Sequence, residues 1–80
     1  MSVSQQDVEK FVFDAMVSFG PEPDEVNRDA TLESLDVDSL DLVELAQLVE
    51  DEYGVLLQPG DFEGITTVGK AIDAIAAKVQ

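Results

Sequence analysis

The sequence predicts an all-α domain: a small four-helix bundle, with three main helices, one short helix and a long first loop. Two observations carry that prediction. Apolar residues recur at i, i+3, i+4 spacing in three separated stretches, and each stretch is bounded by recognisable start or stop residues.

The first helix opens at Ser4, with Asp7 three residues later as a capping partner. Val8, Phe11, Val12, Ala15, Met16 and Phe19 then form an apolar stripe, and Gly20-Pro21 stops it. From Gly20 to Val37 no period is sustained, so this stretch reads as a long loop. Such a length is unusual in a small domain and requires anchors. Val26, Leu32 and Leu35 are expected to tuck inward, with a single turn over residues 31–34.

The second helix is expected to begin at Ser39, because Asp38 is a good N-cap and Asp41 places negative charge where the helix dipole favours it. Gly54 after Tyr53 ends it. At about 100° per residue, Leu42, Leu45, Ala46, Val49 and Tyr53 share the core face. The outward arc holds Leu40, Val43, Glu44, Gln47, Glu50 and Asp51, an apolar pair set among acids. Pro59, Gly60 and Gly64 leave room for only a brief turn around residues 61–63, and this region is expected to be the most mobile. Thr66 or Thr67 caps a last helix carrying Val68, Ala71, Ile72, Ile75, Ala76 and Val79.

Composition narrows the function. With 80 residues the chain reads as one domain, 1–80, with little core to spare for an enzyme cleft. A net charge of -14 repels nucleic acid and anionic membrane surfaces, so partners are expected to be basic. No charged leader followed by an apolar stretch opens the sequence, and no apolar run approaches the ~20 residues of a membrane span. A cytoplasmic monomer is the expectation. Cysteine and histidine are absent, which removes disulfides, thiol chemistry and the usual zinc ligands. Asp36 to Asp41 resembles the start of a calcium loop, but Leu40 sits at a ligand position and Gln47 replaces the closing Glu, so no dedicated metal site is expected.

Ser39 is the residue that points to chemistry. A serine hydroxyl without a histidine has no Ser-His-Asp partner to activate it, which suggests a serine that is modified by another protein. Serine at a helix start is commonly just a cap, but here Asp38 is the better cap and leaves Ser39 free to face solvent. Between Asp36 and Glu52 stand seven acids and no base. Each like-charge neighbour pair on a helix costs roughly 0.2–0.5 kcal/mol, so a sequence selected for stability alone would mix signs.

The run Leu35-Asp36-Val37-Asp38-Ser39-Leu40-Asp41-Leu42-Val43-Glu44-Leu45 resembles the phosphopantetheine attachment segment of acyl carrier proteins. Ile65-Thr66-Thr67-Val68, followed by Ala71-Ile72-Asp73-Ala74-Ile75, resembles the family's last loop and helix. The resemblance implies a non-catalytic carrier bearing acyl thioesters on a 4'-phosphopantetheine arm. A phosphopantetheinyl transferase would attach that arm from coenzyme A to Ser39, flanked by Asp38. It implies further that Asp41, Glu44 and Asp51 steer basic patches of acyltransferase and ketosynthase-type enzymes in a dissociated fatty-acid or polyketide pathway. Leu40, Val43 and Gln47 complete the implied recognition face. An acyl pocket would be lined by Leu42, Leu45, Ala46, Val49, Phe62, Ile65 and Ile72.

Two positions depart from the family pattern. Asp36 stands where Gly is common, and Gln47 stands where fatty-acid carriers often show an apolar residue, which leans toward a specialised pathway. Two other readings of the residues remain open. One is an acidic protein-interaction module without a prosthetic group, for which Ser39→Ala would be silent. The other, more remote, is a hydrolase using a Ser-Lys pair.

Overall fold

The computed structural model describes residues 4–79. Among them are three α-helices: α1 (Gln5–Ser18), α2 (Ser39–Tyr53) and α3 (Val68–Val79). Two 3-10 turns, Pro23–Glu25 and Pro59–Phe62, lie in the connections.

Each helix starts where a polar side chain can satisfy its orphan N–H groups. Ser4 Oγ accepts from Asp7 N at 3.1 Å to open α1. Asp38 Oδ1 accepts from Asp41 N at 3.1 Å to open α2, and Thr67 Oγ1 accepts from Lys70 N at 3.2 Å in the first turn of α3. Of the two candidate threonines, Thr67 is therefore the cap. Gly54 ends α2 in the left-handed region, at φ 71°, where its N–H bonds Glu50 O at 2.8 Å.

The core collects the stripes of all three helices: Val8, Val12 and Met16 from α1, Leu45 and Val49 from α2, and Val68, Ile72 and Ile75 from α3 are fully buried. Each large side chain contributes about 1.5–3 kcal/mol on burial. Phe11 and Tyr53 add an edge-to-face contact between α1 and α2, with ring centroids 5.3 Å apart.

The long first loop is anchored more firmly than periodicity alone suggests. Val26, Leu32, Leu35 and also Val37 are buried. Backbone bonds tie the loop to the start of α3: Leu32 N to Thr66 O at 3.0 Å, Val68 N to Ala30 O at 3.0 Å, and Gly69 N to Arg28 O at 2.9 Å. Thr31 and Thr67 form an isolated antiparallel bridge. Arg28 fastens the same corner by pairing with Glu9 of α1 at 3.3 Å and Asp73 of α3 at 2.9 Å. These two carboxylates raise its pKa above the ordinary arginine value, so it stays charged.

The expected short fourth helix is a single 3-10 turn. It begins at Pro59, two residues before the expected turn. Pro at the first position presets φ, Asp61 Oδ2 accepts from Gln58 N at 2.7 Å, and Gly64 at φ 78° redirects the chain before a further turn can form. This turn packs on α3, with Asp61 pairing to Lys78 at 3.5 Å.

Candidate functional site

Ser39 is the first residue of α2 and is exposed. Asp38 and Asp41 form a reciprocal capping box, Asp41 N to Asp38 Oδ1 at 3.1 Å and Asp38 N to Asp41 Oδ2 at 3.3 Å. The cap is thus complete without the serine, whose hydroxyl is free for other chemistry. First-turn N–H groups and the positive end of the α2 dipole favour an anion at this place.

Beside Ser39 opens a groove of about 490 Å³ between α2 and the segment that follows it. Its α2 wall is Ser39, Leu42, Val43, Ala46, Gln47 and Glu50. At about 100° per residue these six occupy one continuous flank, running from the edge of the core face at Leu42 and Ala46 into the outward arc at Val43, Gln47 and Glu50. The opposite wall is Leu56, Leu57, Phe62 and Glu63. Ser39 itself belongs to the lining, so a group attached to its oxygen has direct access to the groove.

Of the residues expected around an acyl chain, Leu42, Ala46 and Phe62 line this groove. Leu45, Val49 and Ile72 do not: each is 0% exposed and sealed in the core. Ile65 is half-buried, packs against the core and stands outside the lining. The difference follows from helix geometry. Leu45 and Val49 lie in the buried cluster with residues of α1 and α3, while Leu42 and Ala46 lie on the edge of the core face that borders the groove.

In the sequence Leu56 and Leu57 belong to the run Val55-Leu56-Leu57, which is too short to assign to helix or strand. In an extended segment successive side chains face opposite ways. Leu57 accordingly turns into the core while Leu56 remains 60% exposed on the groove rim. The alternation expected of extended chain was the signal that could have found them.

The outward arc is as acidic as its sequence. Leu40 and Val43 are 76% and 55% exposed, and Glu44, Gln47, Glu50 and Asp51 are exposed around them. The ion pairs among the described residues are Arg28–Glu9, Arg28–Asp73 and Lys78–Asp61, so no α2 acid is paired with a cation among them. No group of His, Cys, Asp and Glu among the described residues is placed to hold a metal ion.

A helical bundle that displays an uncommitted serine at the start of an acidic helix, beside an apolar groove, has the form of a carrier domain. Comparison with known proteins places it more closely. The family model described as "Phosphopantetheine attachment site" matches residues 19–75. The meromycolate extension acyl carrier protein of Mycolicibacterium aurum is 36% identical over 74 residues, covering 90% of this chain and 76% of that protein. Its counterpart in Mycobacterium leprae is 34% identical over 77 residues, covering 94% of this chain and 67% of the relative. The acyl carrier protein of Rhodococcus erythropolis is 44% identical over 54 residues, a stretch that spans 66% of this chain and 59% of that protein.

The chain belongs to the acyl carrier protein family, and its prosthetic group is 4'-phosphopantetheine. It is a carrier rather than an enzyme, acted on by a phosphopantetheinyl transferase and by biosynthetic enzymes.

Proposed function

We propose that residues 1–80 form a single acyl carrier domain in which Ser39 is the attachment residue, and that it shuttles acyl intermediates between the enzymes of a dissociated biosynthetic pathway. The observation that carries this is the capping box of Asp38 and Asp41, which leaves the Ser39 hydroxyl uncommitted at the end of an apolar groove. When bound, the prosthetic group supplies the thiol on which acyl groups travel as thioesters.

The chain's own residues fit that group. Ser39 Oγ would hold it through a phosphodiester, at a helix start that favours an anion. Asp38 fixes the helix start and so the direction of the serine. Leu42, Val43, Ala46, Leu56, Leu57 and Phe62 shelter the acyl group from water. Asp41, Glu44 and Asp51 steer acyltransferase and ketosynthase-type partners through their basic patches, while Leu40 and Val43 supply apolar contact. Encounters of this kind are fast, weak and salt-sensitive. A cytoplasmic monomer suits such a shuttle, and no helix among the described residues is long and apolar enough to cross a membrane.

The similarity to meromycolate extension carriers supports a pathway that elongates long acyl chains over one that builds polyketides. Intact mass after incubation with coenzyme A, magnesium and a broad-specificity phosphopantetheinyl transferase tests the attachment. A single addition to the parent and none to Ser39→Ala is expected. A folded, unmodified parent that gains no mass would overturn the reading and favour an acidic interaction module without a prosthetic group.

A further inference from the structure

The groove is lined by Ser39, Gln47, Glu50, Glu63 and six apolar side chains. The apolar side chains neither donate nor accept hydrogen bonds, and the two carboxylates only accept. Ser39 gives up its hydroxyl proton when its oxygen is esterified. Gln47 is then the one side chain of the lining that donates a hydrogen bond.

The tether at Ser39 limits what comes level with that donor. Gln47 stands eight residues beyond Ser39 on the same flank of α2, about 12 Å along the helix axis. A pantetheine arm carries two amides between its phosphate and its thiol. An extended covalent chain gains about 1.2 Å per bond, the rate that gives a polypeptide its ~3.3–3.6 Å per residue. The amide carbonyl nearer the thiol, about ten bonds from the serine oxygen, therefore reaches about 12 Å, level with Gln47. The other carbonyl, about six bonds out, reaches roughly 7 Å and comes beside Val43, which offers no donor. An amide carbonyl laid on an apolar wall without a donor forfeits its bonds to water. The Gln47 carboxamide returns one by donating from Nε2.

We propose that Gln47 is a positioning residue for the prosthetic group, its side-chain amide holding the thiol-side amide of the pantetheine arm along α2. This rests on the carrier reading, with Ser39 as the attachment point. The acyl group begins only at the thiol beyond that amide, so the contact sets where the thioester starts relative to the groove. Gln47 is exposed and stands outside the core cluster, so replacing it leaves the fold intact.

The test uses the arm without any acyl group. Parent and Gln47→Met are each loaded with the natural arm and with an analogue in which methylenes replace the thiol-side amide, and loading is verified by intact mass. The ratio of docked to free arm is read from the chemical shifts of isotope-labelled arm methylenes and of the Ala46 methyl. With the natural arm, Gln47→Met is expected to lower that ratio by roughly 2- to 10-fold, the range of one net hydrogen bond. With the analogue the same substitution is expected to cause no fall, because the partner of the contact is already gone. An unchanged ratio for the natural arm, an equal fall with both arms, or a loaded parent whose arm keeps the shifts of free pantetheine would overturn the assignment. Absence of loading would instead overturn the carrier reading beneath it.

Discussion

Asp38 and Asp41 exchange hydrogen bonds across the first turn of α2, each carboxylate accepting from the other's backbone N–H at 3.1 and 3.3 Å. Ser39 lies between them without being part of the exchange. Two acids thus do what a serine at this place would ordinarily do, and the hydroxyl is left outside the cap.

The box is separable from the attachment chemistry. Asp38→Ala should lower stability by about 1 kcal/mol, the usual cost of losing an N-cap. In a domain this small that corresponds to a fall in Tm of roughly 4–8 °C. Thermal unfolding followed by circular dichroism checks it. An unchanged Tm would mean that the helix start is held by something other than the box.

Asp36 is the one non-glycine residue among those described with a positive φ, at 57°. Left-handed backbone costs an L-residue roughly 1–2 kcal/mol, less for Asp, whose short polar side chain bonds locally. Asp36→Gly relieves that cost but frees the unfolded chain. The expected balance is a gain of about 0.5 kcal/mol, whereas Asp36→Val, β-branched at a positive φ, should lose more than 1 kcal/mol. Denaturant midpoints of the pair settle the order.

Tyr53 is the chain's only tyrosine, and the sequence has no tryptophan, so its phenol can be titrated alone by absorbance. Burial, and then the negative charges of Glu52 and Asp7, raise its pKa above the ordinary 10.0. The folded state therefore holds the proton to higher pH than the unfolded chain does. The resulting stability is fully present below pH 10 and is lost as pH rises through the folded-state value. Tyr53→Phe should remove that part of the alkaline decline, and a phenolate transition in the native protein at or below the ordinary value would contradict the prediction.

Leu45 and Leu40 are five residues apart on the same helix, one 0% and the other 76% exposed. Leu45→Ala should cost about 2–5 kcal/mol through lost burial and the cavity it leaves. Leu40→Ala should change stability by no more than about 0.5 kcal/mol, while weakening association with a partner ketosynthase-type enzyme. Unfolding curves and titration calorimetry on the two variants separate core from recognition.

Much of this was legible in the sequence. The bounds of α2 follow from Asp38 and Gly54, local signals that act within a turn, and the structure reproduces them at Ser39 and Tyr53. Ser4 and Thr67 mark the other starts for the same reason. The groove was only half legible. Periodicity placed Leu42 and Leu45 on one apolar face, but it could not say which part of that face the rest of the chain would cover.

The sequence by itself determined the three main helices, the acidic face and a serine with no histidine to activate it, because caps, charge and residue chemistry are properties of near neighbours. Tertiary structure alone decided that Leu45, Val49 and Ile72 are sealed while Leu42, Ala46 and Gln47 line a groove, and that Arg28 ties α1 to α3. Those outcomes depend on where the 3-10 turn at Pro59–Phe62 and the first loop come to rest, and contacts between residues distant in sequence fix them.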